Sequence, residues 1–243
     1  VTSEPRAALV VGAGPGLGGA VARRFAREGY VACIVRRKAA ELAPLCAEIE
    51  AQGGRALPFG IDARNEDEVV ALFDRIEQQV GPVEVAVHNI GANVSFPIRE
   101  MTTRVYFKVW HMACFSGFLV GREAARRMVP RGRGTILVTG ATASLRGRPG
   151  MAAFAGAKSA LRALAQSMAR ELGPEGIHVA HVIVDGAIDM PWIRENFPQI
   201  VEERGEEALL SPDAIAESYW QLHAQPRNAW THELDLRPHI EPW

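Results

Sequence analysis

An uninterrupted apolar run, Ala7–Val11, opens directly onto Gly12-Ala13-Gly14-Pro15-Gly16-Leu17-Gly18-Gly19, five glycines in eight residues. A run that is apolar at every position predicts a strand covered on both faces. A helix-period stretch follows from Gly16 to Glu28, and Gly29 suits its C-terminal end. Where a strand turns through glycines into a helix, backbone N–H groups can approach an anion closely. The helix N-terminus adds its partial positive charge there. Gly14-x-Gly16-x-x-Gly19 matches a general dinucleotide pattern, but Gly12-x-x-x-Gly16-x-Gly18 begins at the strand end and is the better register. A glycine-rich turn without a ligand is the plainer reading, and the strand before and helix after weigh against it.

The same alternation continues along the chain. Strands are predicted at Val31–Val35, Arg55–Gly60, Val83–Val87, Thr135–Thr139, Ile177–Val184 and His232–Leu236. Helices are predicted at Ala39–Ala51, Glu66–Val80, Thr103–Val129, Met151–Leu172 and Pro212–His223. Strand-helix alternation of this kind implies an α/β fold, one parallel sheet with helices on both faces. With no internal repeat, low-complexity tract or linker, the expectation is a single domain over residues 1–243.

Composition narrows the function. The 27 basic and 28 acidic residues leave a net charge of -1, which gives no footprint for nucleic acid or acidic lipid. At 48% hydrophobic the chain is too apolar for disorder, yet no run of 18 uncharged apolar residues could span a membrane. Three widely spaced cysteines, Cys33, Cys46 and Cys114, suggest free thiols in a reducing compartment. The polar start, Val1 to Arg6, shows no secretory pattern, and a cytoplasmic location is the expectation. His178 and His181 lie three apart on a strand and point to opposite faces, so no metal site is indicated.

The end of the second strand selects the cofactor. A carboxylate there would hold the 2′-hydroxyl of NAD, whereas cations accommodate the 2′-phosphate of NADP. The chain reads Val35-Arg36-Arg37-Lys38. Arg36 and Arg37 therefore point to NADP(H), against the alternative of a solvated basic turn.

The glycine register, Asp62-Ala63 after the third strand and His88-Asn89-Ile90-Gly91 after the fourth stand in the order and spacing of the short-chain dehydrogenase/reductase family, which the chain resembles over essentially its full length. The resemblance implies a Rossmann-type, doubly wound parallel sheet of about seven strands. It implies a nicotinamide cofactor held by Gly12, Gly16, Leu17 and Gly18 at the first turn, with Asp62 and Ala63 at the adenine. Asn89, Gly91, Lys158, Gly186 and Ile188 would hold the cofactor further along. A small-molecule substrate under a mobile cover at Gly186–Gly205 is also implied. So is a homodimer or homotetramer packed through the two long helices, with Trp230 and Trp243 as further interface candidates.

The family's chemistry rests on a Tyr-x-x-x-Lys pair, a serine thirteen residues before the tyrosine, and an asparagine on the preceding long helix. Here the matching segment is Phe154-Ala155-Gly156-Ala157-Lys158. Ala141 stands for the serine and Ala113 for the asparagine, and Asp185-Gly186 replaces the usual Pro-Gly. Phenylalanine donates no proton, and a positioned general acid contributes about 10²–10⁴ in rate. Among substitutes, Thr142 can polarise a carbonyl, although capping the loop is the more ordinary role for Thr142 and Ser144. His88 is read as a satisfied strand-end histidine and Asp185 as a turn residue. Lys158 keeps a role at the ribose without tyrosine. Catalytic candidates are thus Lys158 and Thr142, with Phe154 and Ala141 in the vacated places. Three functions remain open: an atypical NADP(H)-dependent oxidoreductase, a cofactor-binding protein without turnover, or a non-redox enzyme reusing the pocket.

Overall fold

The computed structural model describes residues 5–241, and Trp243 lies outside them. Seven strands form one parallel sheet in the order β3-β2-β1-β4-β5-β6-β9. They are β1 (Ala7–Val11), β2 (Val31–Arg36), β3 (Arg55–Gly60), β4 (Val83–His88), β5 (Gly134–Thr139), β6 (Ile177–Val184) and β9 (Glu233–Leu236). Helices α1 (Leu17–Arg27), α2 (Ala43–Ala51), α3 (Glu66–Gln79), α4 (Thr103–Trp110), α5 (Ser116–Met128), α6 (Ala152–Leu172) and α9 (Pro212–His223) connect them. This is the parallel sheet that the alternation implied, in the doubly wound Rossmann-type form that the resemblance implied.

The continuous apolar runs follow from double coverage. Along β1, Ala7, Leu9 and Val11 join one core, while Ala8 and Val10 join the other. The first core packs α3, α5 and α6 against the sheet, and the second packs α1, α2 and α9. On β6 the same alternation separates the two histidines. His178 stacks on Trp230 at 4.9 Å and donates from Nε2 to Thr231 O at 2.8 Å, while His181 pairs with Glu233 on the other face. No group of three metal-ligating side chains occurs among the described residues.

Three expected elements differ in detail. The stretch expected as one helix from Thr103 to Val129 is broken by a π-turn at His111–Phe115. Ser116 Oγ donates to Met112 O at 2.6 Å and so satisfies a carbonyl beside the wide turn. The helix expected from Ala39 starts as a 3₁₀ turn, Ala39–Leu42, and becomes α-helical from Ala43. The expected cover, Gly186–Gly205, is built of short elements. It holds β7 (Ala187–Ile188), α7 (Pro191–Asn196) and α8 (Gln199–Arg204), and β7 pairs with β8 (Leu209–Leu210). No helix among the described residues is long and apolar enough to cross a membrane.

The sheet places β1 between β2 and β4, so the chain leaves its carboxyl end in opposite directions on either side. That reversal is where open α/β sheets bind ligands. Asn89 N donates to Val11 O at 2.8 Å and Gly12 N to Val35 O at 3.1 Å, which knits the three strand ends together.

Candidate active site

The glycine turn is closed below and open above. Gly12 has φ +95°, a conformation that favours glycine, and a Cβ there would lie 2.4 Å from Asn89 O. A Cβ on Gly18 would lie 2.4 Å from Gly12 O, and Asn89 Nδ2 donates to that same oxygen at 3.1 Å. Around Gly14, by contrast, nothing stands within 4 Å of the Cβ position. Helix α1 has neither a side-chain cap nor an acidic residue in its first turn, so its N-terminal positive charge is uncompensated. A Cβ on Gly19 would lie 2.2 Å from Gly14 O, so close backbone approach is required at Gly12, Gly18 and Gly19 alike, and these features suit a pyrophosphate.

From this turn a cavity of about 690 Å³ extends along the carboxyl ends of β1, β4, β5 and β6. It gathers Gly12, Gly16, Leu17, Gly18, Arg36, Asn89 and Gly91 with Ala141, Thr142, Phe154, Lys158, Gly186 and Ile188. A smaller recess of about 140 Å³ beside it is lined by Arg36, Arg37, Asp62 and Ala63. Every residue singled out for cofactor or catalysis therefore faces one of two adjoining hollows.

The recess carries two features that the motif did not indicate. Arg36 Nη1 pairs with Glu41 Oε2 at 3.1 Å, and Lys38 Nζ stands 3.6 Å from Glu41 Oε1. Both oxygens of Asp62 are held by Arg64, through Nε at 2.8 Å and Nη2 at 2.5 Å. That guanidinium keeps the Asp62 carboxyl below the usual range. An adenine amino group reaching Asp62 would meet a carboxylate already engaged.

At the other end, Lys158 is almost wholly buried, and Nζ donates to Thr139 O at 2.8 Å and Ile90 O at 3.2 Å. An ammonium has three donors, so one is left for a ligand. Burial pulls Lys158 down to about 8, with a small opposing effect from Cys114. Phe154, one turn earlier on α6, is also buried and contributes its ring to the wall. Ala113 is fully buried within the π-turn and lines neither hollow.

The substitutes sort themselves by their bonds. Ser144 Oγ accepts from Ala141 N at 3.1 Å, the loop-capping role. Thr142 Oγ1 donates at 2.5 Å to Asp185 Oδ1, so its proton is committed. His88 is buried outside the cavity, with Nε2 2.7 Å from Ser116 Oγ. Because Ser116 gives its proton to Met112 O, it accepts from His88 Nε2–H, which leaves Nδ1 as a lone pair without a partner. Burial lowers His88 to about 3.

Asp185 corrects the expectation of a simple turn residue. It is fully buried and binds Thr142, Arg146 Nη2 at 3.2 Å and Arg237 Nη2 at 3.4 Å. In the expected cover, Trp192 and Phe197 pack on each other at 5.4 Å and are exposed, while Ile188 and Met190 reach the cavity, Met190 beside Gly16. Sequence reasoning passed over Asn93, Arg146 and Arg148, which also line the cavity. The two arginines were visible as the only charges between β5 and α6.

Comparison with known proteins agrees with this geometry. A family model described as short chain dehydrogenase matches residues 6–199. A crystal structure of a short-chain dehydrogenase from Rhodopseudomonas palustris is 50% identical, with a TM-score of 0.83 over 96% of this chain and 99% of that one. A 3beta-hydroxysteroid dehydrogenase of Mediterraneibacter gnavus is 32% identical over 85% of this chain and 75% of its own length. A gluconate 5-dehydrogenase of Gluconobacter oxydans is 31% identical over 71% of this chain and 67% of its own. With the sheet order, the glycine cradle and the buried lysine already in place, the chain belongs to the short chain dehydrogenases, a family of oxidoreductases that use a nicotinamide cofactor.

Proposed function

We propose that the protein is an NADP(H)-dependent oxidoreductase interconverting a carbonyl and an alcohol, with Lys158 as the group that gives and takes the proton. Bound in the cradle, a nicotinamide supplies or accepts the hydride equivalent. The glycine turn and the α1 N-terminus hold the pyrophosphate, and Arg36 and Arg37 face the adenosine end. The preference for NADP(H) rests on those two cations and on the absence of an unpaired carboxylate at the end of β2.

The observation that carries the reading is Lys158 itself. It lines the same cavity as the cradle, has one N–H unspent, and is brought by burial to about 8. An ammonium so tuned can protonate a carbonyl oxygen near neutral pH, and the resulting amine can take a proton from an alcohol in reverse. The phenyl ring of Phe154 excludes water from one side of it. Thr139 O and Ile90 O fix its position. The relatives' names range from a gluconate to a hydroxysteroid dehydrogenase, so they do not agree on a substrate.

The test is NADPH oxidation against a panel of aldehydes and ketones, for the wild type and for Lys158→Ala. Turnover by the wild type, with a loss of about 100-fold or more in the variant, is expected. Equal turnover by both would overturn the role of Lys158. Tight NADPH binding with no turnover at high enzyme concentration would mark a cofactor-binding protein. Product without a change in nicotinamide absorbance would mark non-redox chemistry.

A further inference from the structure

The charged residues lining the large cavity are Arg36, Arg146, Arg148 and Lys158, and no carboxylate lines it. Arg36 lies at the adenosine end and Lys158 at the reacting end. The remaining two stand on the loop between β5 and α6 and line the same cavity as Phe154. Nothing in the cofactor reading uses them.

Their settings differ in a way that suits one ligand. Arg146 is anchored by the fully buried Asp185 through a single nitrogen, Nη2. Its Nε and Nη1 make no hydrogen bond among the described residues. Arg148 is exposed, and its side chain has neither ion pair nor hydrogen bond among the described residues. Asp185 holds Arg146, whereas no carboxylate among the described residues pairs with Arg148. Arginine stays charged at any working pH, so the charge of Arg148 is open to a ligand. One uncompensated cation next to a pre-anchored guanidinium matches a monoanion with two oxygens in a plane, a carboxylate.

We infer that the substrate carries a carboxylate, and that Arg148 binds it together with the unspent Nη1 of Arg146. Arg146 is a ligand-binding residue held in place by Asp185, and Asp185 and Thr142 are positioning residues. The substrate class is then an oxo acid and the corresponding hydroxy acid. This rests on the oxidoreductase reading of the same cavity and goes beyond it in naming the charged group.

The experiment is a calorimetric titration of the NADP⁺-loaded protein with straight-chain 2-, 3- and 4-oxo acids of four to eight carbons, each beside its methyl ester. Inorganic phosphate serves as a dianion control. At least one acid is expected to bind about tenfold or more tightly than its ester. Arg148→Ala should remove that preference, and Arg148→Glu should invert it; both substitutions are at an exposed side chain and leave the fold intact. Acids binding no better than esters, a preference that survives Arg148→Glu, or phosphate binding more tightly than every acid would overturn the inference. If esters and simple ketones are reduced without any preference for acids, the oxidoreductase reading stands and the carboxylate assignment alone fails. If no NADPH is oxidised with any carbonyl while the acids still bind in preference to esters, the reverse holds.

Discussion

The ammonium of Lys158 stands 5.9 Å from the centre of the Phe154 ring, one helical turn along α6. A ring face attracts a cation weakly at this range but offers it no proton and no hydrogen bond. The relationship keeps the lysine dry and leaves proton transfer to the lysine itself. It also puts any hydroxyl introduced on that ring beside a cation.

A tyrosine at that position should therefore be an active acid. A phenol ordinarily titrates near 10, and an adjacent ammonium favours the phenolate and lowers that value. Phe154→Tyr combined with Ala141→Ser is expected to raise kcat/KM for ketone reduction about tenfold or more. Steady-state NADPH oxidation checks it. No gain from the pair would mean that the cavity lacks room for a carbonyl between the ring and the nicotinamide face.

The pH profile of the wild type follows from Lys158. Reduction needs the ammonium, so its kcat/KM should hold at neutral pH and fall as pH rises through about 8. Oxidation of the alcohol needs the free amine and should rise through the same region. Profiles recorded in both directions would give opposite limbs around one pKa. A reduction limb unchanged to pH 10 would assign the proton to another group.

Much of this site is legible from residue order, and some of it is not. Strands β1, β3 and β6 and helix α9 have the bounds that residue order marks; β1 and β6 are covered on both faces and write their burial into every position, while the edge strand β3 is buried only in part. The break at His111–Phe115 leaves no such trace, since a π-turn shifts the face of a helix without changing its composition. The ties of Asp185 to Thr142, Arg146 and Arg237 join segments 39 to 52 residues apart. Only the sheet, by setting β6 between β5 and β9, brings those segments together. Likewise Asp62 matches its motif, yet Arg64 two residues on takes both of its oxygens.

Cofactor choice can be read at Arg36 and Arg37. A charge-assisted hydrogen bond is worth about 1.5–3 kcal/mol, or about 10- to 100-fold in affinity. Arg36→Ala with Arg37→Ala should weaken NADPH by about that factor or more while leaving NADH within about twofold. Fluorescence titration with both nucleotides decides it. Equal losses for the two would place the arginines away from the 2′-phosphate.

Buried histidines that are neutral in the fold contribute to acid stability, three of them strongly. Burial lowers His88 to about 3, and His181 and His223 to about 4, from an ordinary 6.5. Between those values and 6.5 the unfolded chain binds more protons than the folded one, so stability increases with pH across that window. It is fully present above about 6.5 and is lost as pH falls toward 4 and then 3. Each tenfold change in proton affinity is worth about 1.4 kcal/mol, so the three together reach several kcal/mol at the acid end. Urea melts at pH 7.5 and pH 5 should show a clearly lower midpoint at pH 5. His223→Gln, which removes the group bonded to Tyr30 and Thr135, should lower stability at pH 7.5 yet flatten its dependence on pH. A midpoint that stays constant from pH 7.5 to pH 4.5 would mean that these imidazoles are protonated in the fold.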